Sequence, residues 1–199
     1  MMPRKYRGFS LIELMITITV VAILLAIATP SFRDWMNNSR IRSAAESIQN
    51  GLRSARNEAA QRGSPVRFEL KSASAPSWVV CQLPLGVADC ATAGSASTIE
   101  QRDATESQIK LAGSTASTSQ ALSALGTALS GGIPAGVTFD ALARPVSFNS
   151  GSVIRIDVAG SRNAGRRLVI LISPGGMVRS CDPEKVTLAQ SDAQSCGTN

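Results

Sequence analysis

From Phe9 to Thr29 the chain carries one ionised side chain, Glu13, in an otherwise apolar run. A helix needs about 20 residues to cross the hydrocarbon core of a bilayer, so this stretch has the length and composition of a span. Arg4, Lys5 and Arg7 lie just before it and Pro30 just after. Cations in that position hold the N-terminal end in the cytoplasm. A secretory signal shares the basic start and apolar middle, and Ala26-Ile27-Ala28 supplies a small-residue cleavage pattern. Two features weigh against that reading. A carboxylate inside lipid costs about 3 kcal/mol and marks a function, and the helical pattern does not stop at Ala28.

Beyond Pro30, Phe32 and Trp35 stand beside Arg33 and Asp34, a mixture suited to a membrane–water interface. Apolar residues then recur at Ile41, Ala44 or Ala45, Ile48, Leu52, Ala55 and Ala59. Steps of three and four draw one stripe along a helix, while Arg40, Glu46, Gln49, Arg53 and Asn57 fall off it. Gly63 and Pro65 form a stop signal, and Pro30 and Gly51 are expected weak points in the rod. A helix from Phe9 to Arg62 would measure about 80 Å at 1.5 Å per residue. Its first half is apolar all round; its second half has one face to bury and requires a partner surface.

The remainder is expected to supply that surface as β-structure. Val66–Leu70 alternates with period two, and Trp78–Leu83 is a second strand candidate. Pro84–Thr98 reads as a loop, and Ile99–Leu111 has room for short strands. Ala112–Gly136, rich in Ser, Thr, Ala and Gly, reads as a long surface loop. Val137–Asp140 and Pro145–Phe148 return to order. Val153–Val158 alternates, with Arg155 and Asp157 assigned to the face away from the apolar one. A polar turn at 160–165 leads to Leu168–Ile172, and Pro174-Gly175-Gly176 turns the chain into a last strand from Met177. Such turns between consecutive strands predict an antiparallel meander.

The chain of 199 residues has 20 Lys and Arg against 14 Asp and Glu, a formal +6. Arg4, Lys5 and Arg7 provide three of those cations, so residues beyond them hold 17 against 14, or +3. That is too small an excess to indicate a nucleic-acid protein. Four cysteines, Cys81, Cys90, Cys181 and Cys196, contain no C-x-x-C spacing, which argues against thioredoxin-like and zinc-ribbon sites. In an exported chain an even count implies disulfides rather than free buried thiols. Of three pairings, Cys81–Cys90 with Cys181–Cys196 closes the shortest loops and is the expected one.

Gly8-Phe9-Ser10-Leu11-Ile12-Glu13-Leu14, behind a basic leader, resembles the class III signal of type IV pilins and type II secretion pseudopilins. The resemblance implies prepilin peptidase cleavage between Gly8 and Phe9 and N-methylation of Phe9. Pro30 matches a proline that many pilins carry at the end of the apolar segment. Phe139, the Val153–Val158 strand and the passage from Arg166 to Val178 are similar to the C-terminal domain of the GspH/FimT/FimU family. The implied fold is α+β and pilin-like, a long N-terminal helix packed on an antiparallel β-rich globular head. Its divisions would be a leader at 1–8, a transmembrane and filament-core helix at 9–29, an amphipathic continuation at 30–63 and a periplasmic head at 64–199.

The resemblance further implies an assembly role for Glu13, pairing with the methylated amine of a neighbouring subunit. A buried carboxylate and ammonium are each costly alone and less so together. The expected partners are other major and minor pilins or pseudopilins, prepilin peptidase, and the bacterial inner membrane before entry into the filament. The expected role is a minor type IV pilin, with an H-type type II secretion pseudopilin as the alternative. Catalysis is not expected. Without histidine there is no Ser-His or Cys-His system, no phosphate-binding glycine pattern opens a helix, and Asp140, Asp157 and Asp182 have no recognisable partners. No cofactor or metal is implied. A rival reading has DNA engaged by Arg155, Arg162, Arg166, Arg167 and Arg179. The tail opposes it, since Asp182, Glu184 and Asp192 face only Lys185.

Overall fold

The computed structural model describes residues 8–104, 108–115, 136–148, 151–161, 166–183 and 196. It divides into two compact units, one ending at Asn37 and one beginning at Asn38. Helix α1 runs over Leu11–Arg62. It starts where the Ser10 carbonyl accepts the backbone N–H groups of Glu13 at 3.1 Å and Leu14 at 3.2 Å. It stops at Gly63, whose φ of +59° is the left-handed cap that glycine adopts at least cost. The first unit therefore holds the apolar part of the helix, and the second begins with the amphipathic part.

In the second unit the striped face is buried as its spacing predicts: Ile41, Ala44, Ala45, Ile48, Leu52, Ala55 and Ala59 are all in the core. Among the described residues eight strands complete it: β1 (Val66–Leu70), β2 (Trp78–Gln82), β3 (Thr98–Arg102), β4 (Ile109–Ser114), β5 (Gly136–Phe139), β6 (Arg155–Gly160), β7 (Leu168–Ile172) and β8 (Val178–Cys181). A short helix α2 (Cys90–Ala93) lies between β2 and β3. The strands form two antiparallel sheets, in the orders β3-β2-β1-β5 and β4-β6-β7-β8. A single meander is therefore too simple. β1-β2-β3 and β6-β7-β8 are each one, but β5 pairs back with β1 and β4 pairs with β6, Ala112 opposite Asp157. Helix stripe and both sheets share one apolar core built on Phe68, Trp78, Leu111, Phe139, Ile156 and Ile170.

Three local expectations are corrected. Ala112–Ser114 belongs to β4 and is buried, not loop, because these small side chains pack against β6. Residues 116–135, the rest of that expected loop, lie outside the described residues. Pro145 makes one isolated bridge to Phe139, and the chain then turns through Ser147 at φ +55°, so Pro145–Phe148 is not a strand. Proline has no N–H to extend a ladder. The preceding turn is held by Asp140, whose carboxylate accepts from the backbone N–H of Arg144 at 2.8 Å and of Leu142 at 2.9 Å. The Arg144 N–H is the leading cause holding the Asp140 carboxyl below the usual range. What this turn contributes is present above the ordinary aspartate range and fades as pH falls through the lowered one.

Gly51 is the third correction. Helix α1 continues through it, and its lack of a side chain serves contact rather than flexibility. A Cβ there would stand 2.8 Å from Phe68 Cε2 and 2.9 Å from Trp78 Cδ2. Neither ring has room to yield, since both are buried and the Trp78 indole N–H donates to Ser47 Oγ at 3.0 Å. Ordinarily Gly→Ala inside a helix gains roughly 0.5–1 kcal/mol, whereas overpacking a fitted core costs about 1–3 kcal/mol. Here the second term wins. Gly51→Ala is expected to lower the urea midpoint of the detergent-solubilised chain, by about 1–2 kcal/mol of stability; an unchanged or raised midpoint contradicts the close-packing account.

Candidate assembly and processing site

Gly8, Phe9 and Ser10 are non-helical and exposed, and among the described residues nothing approaches Gly8 within 4 Å of where a Cβ would be. The Gly8–Phe9 peptide thus sits in an open stretch directly before a helix. Glu13 lies in the first turn of α1 and is exposed, where a carboxylate also favours the N-terminal end of the helix dipole. From there on the helix presents apolar side chains on every side. Leu11 (78% exposed), Ile16 (58%), Leu24 (60%) and Ile27 (73%) represent the whole run. A helix apolar all round belongs inside something. The segments Leu11–Ile27 and Ser31–Arg62 together, and neither singly, have the length and apolarity of a membrane span.

The hydroxyls in this run fit the same conclusion. Thr17 Oγ1 donates to the Leu14 carbonyl at 2.8 Å, Thr19 Oγ1 to that of Ile16 at 2.8 Å, and Thr29 Oγ1 to that of Leu25 at 2.5 Å. A polar group that bonds back to its own helix needs no water. At the far end, the Phe32 and Trp35 rings lie 5.9 Å apart on exposed side chains.

In the head both local disulfides are formed, Cys81–Cys90 and Cys181–Cys196. Two devices bring Cys90 to Cys81. A shift of strand register between Val80 and Cys81 leaves both buried, and Asp89 caps α2 by accepting the Thr92 N–H at 2.7 Å while Glu69 Oε2 accepts the Cys90 N–H at 3.1 Å. The Thr92 hydroxyl, then the Thr92 N–H, holds the Asp89 carboxyl below its ordinary range. Cys181 ends β8, and Cys196 is held to it across residues 184–195, which lie outside the described residues.

The arginines suggested for DNA are mostly committed elsewhere. Arg155 and Asp157, assigned above to an open face, are 4% and 0% exposed and bond to each other twice at 2.9 Å. Arg167, 7% exposed, joins them with Nη2 at 2.6 Å and Nε at 3.0 Å from Asp157 Oδ1. The register explains the meeting: Asp157 faces Val169 across β6–β7, so Arg167 is its diagonal neighbour. Arg166 Nε donates to Asp182 Oδ2 at 2.8 Å. Arg179 stays exposed and donates to the Cys196 carbonyl at 3.3 Å, and Arg162 lies outside the described residues. Buried and paired, Arg155 and Arg167 are not available to a phosphate. Asp140, Asp157 and Asp182, read as unpartnered acids, each bind an arginine.

A long N-terminal helix followed by antiparallel sheets, with an open glycine–phenylalanine junction before an exposed apolar helix, defines a pilin-like α+β fold. Two family models match the chain: the prokaryotic N-terminal methylation motif over residues 3–29, and type II transport protein GspH over residues 44–176. The chain belongs to the GspH family. In fold it is similar to the type IV minor pilin FimU of Pseudomonas aeruginosa, with a TM-score of 0.50 and 17% identity over 82% of this chain and 99% of that one. A second crystal form of FimU gives a TM-score of 0.45 at 16% identity, over 78% and 99%.

The Arg155–Asp157–Arg167 cluster makes a sharp prediction about the head. Asp157→Asn keeps the shape but removes the carboxylate that the two buried guanidiniums share. Breaking such a cluster from one side costs about 3–5 kcal/mol. Urea unfolding of the Asp157→Asn chain should show a loss of that size, and a loss below about 1 kcal/mol would mean that the three side chains are effectively solvated.

Proposed function

We propose that this chain is a minor type IV pilin, a structural subunit held in the bacterial inner membrane by α1 with its head in the periplasm, then drawn into a pilus. The observation that carries the reading is the exposed apolar helix standing directly behind an open Gly8–Phe9 junction. Such a helix requires lipid, and later other helices, around it. Prepilin peptidase cuts after Gly8, Phe9 becomes the methylated N-terminus, and Glu13 pairs with the Phe9 amine of a neighbouring subunit. The role is one of assembly rather than catalysis. The family model named for type II transport favours a second reading, an H-type pseudopilin of a secretion filament. Both readings share the same helix chemistry.

The experiment follows processing and recruitment in one strain. Co-expression with a prepilin peptidase should give a mature chain starting at N-methylated Phe9, whereas a start at Thr29 would identify a secretory signal instead. The Glu13→Ala chain should be cleaved, inserted and stable, because losing a carboxylate makes the segment more apolar. It should nevertheless be poorly recruited, since the neighbour's amine is left unpaired in an apolar surrounding. The ratio of filament-associated to membrane-associated protein should fall at least about tenfold, the effect of roughly 1.4 kcal/mol. An unchanged ratio with normal filaments would remove Glu13 from assembly.

A further inference from the structure

Among the described residues one buried side-chain polar atom has no hydrogen-bond partner, Arg56 Nε. It lies where α1 meets two turns of the head. A Cβ at Gly176 would stand 3.2 Å from Arg56 Nε and would clash with the Ala143 carbonyl oxygen, so the turns through Ala143 and Gly176 touch beside the guanidinium. Ala143 holds a φ of +60°, a left-handed conformation that costs a non-glycine residue energy. The next residues along these turns, Leu142 and Met177, are 70% and 67% exposed. An orphaned guanidinium N–H and two uncovered apolar side chains therefore share one surface.

The chemistry of this surface narrows what it accepts. A buried guanidinium N–H without an acceptor is unfavourable, and the acceptor that matches its planar fork is a carboxylate. Arg144 and Asp140 on the same turn pair with each other at 3.4 Å, which leaves the Arg56 charge uncompensated among the described residues. Nucleic acid is held by several cations at once and offers nothing to Leu142 and Met177. What fits is an acid set among apolar side chains, and α1 itself presents that combination. Phe32 and Trp35 are exposed, and Asp34 between them is exposed with no ion pair among the described residues. At a membrane the two rings rest in the lipid surface, but a filament has no lipid surface and must cover them with protein. We propose that in the filament the Arg56 surface of one copy receives the Phe32–Trp35 stretch of a second copy of this chain, with Arg56 Nε donating to the Asp34 carboxylate and Leu142 and Met177 covering the rings. The proposal rests on the reading of this chain as a filament subunit.

The test uses two differently tagged full-length copies in cells that assemble the filament. A photoreactive benzophenone amino acid replaces Leu142, which is exposed, in one copy, and cross-linked peptides from sheared filaments are mapped by mass spectrometry. The expected product joins position 142 to residues 32–35 of the other copy. Its yield per filament-associated chain should fall about tenfold with Asp34→Asn, as for loss of one hydrogen bond to a charged group. Asp34 is exposed on the helix, so this variant leaves the packing of the head alone. Arg56→Glu should lower the yield as far, and adding Asp34→Arg to it should restore most of the product, which a merely loosened head would not do. No cross-link, cross-links only to lipid, nucleic acid, other segments or other subunits, or a yield that these substitutions leave unchanged overturns the contact while leaving the subunit reading intact. A chain absent from filaments altogether overturns both.

Discussion

The apolar side chains of α1 from Leu11 to Ile27 have nothing among the described residues to cover them, and the rest of the molecule makes sense only in view of that. Twelve large side chains in this run are half or more exposed. At roughly 1.5–3 kcal/mol for each one taken out of water, covering them is worth on the order of 20 kcal/mol. That exceeds the usual net stability of a whole domain, so the helix cannot stand in water as a monomer. A bilayer provides one cover and a bundle of like helices provides another. Glu13 is the exception in the run, and it restricts which cover is complete. Lipid leaves its carboxylate without a counter-charge, which the proposed pairing with a neighbouring N-terminal amine would supply.

The head solves a different problem, burying a single helix stripe. Ile41, Ile48, Leu52 and the alanines between them pack against two four-stranded sheets. Gly51 allows Phe68 and Trp78 to approach the helix closely, and Ser47 holds the indole in place. Ser54 Oγ donates to Glu100 Oε2 at 2.7 Å, and Arg40 bonds Gln108, so the helix is also tied along its polar flank. The Arg155–Asp157–Arg167 cluster and the two disulfides then secure the second sheet and the ends of the head. A packed head and an exposed apolar helix are the division of labour expected of a filament subunit.

Much of this was readable in the residues because it depends on local pattern. The three-four spacing from Ile41 to Ala59 marked the buried stripe, and Val66–Leu70 and Leu168–Ile172 declared themselves as strands. What escaped depends on contacts distant in sequence. Arg155 and Asp157 were placed outward because period-two alternation assumes one wet face, whereas every residue of β6 is buried. An Arg-x-Asp inside an apolar strand, followed by Arg166-Arg167 at the start of the next, was the available signal of an internal ion cluster. Gly51 looked like a weak point because the sequence cannot reveal that two aromatic rings meet there. The two-sheet arrangement was hidden for the same reason: β4 pairs with β6 across an intervening β5 that joins the other sheet.

The central claim is that the first half of α1 is sheathed by lipid before any filament forms. It is tested most directly by placing a nitroxide on Val20→Cys, at an exposed apolar position in mid-run, and reconstituting the full chain in phospholipid vesicles. The account predicts strong spin relaxation by membrane-dissolved oxygen, little by a water-soluble nickel chelate, and retention of the chain in the vesicles after an alkaline wash. Relaxation dominated by the nickel chelate, or release of the chain by the wash, would contradict it.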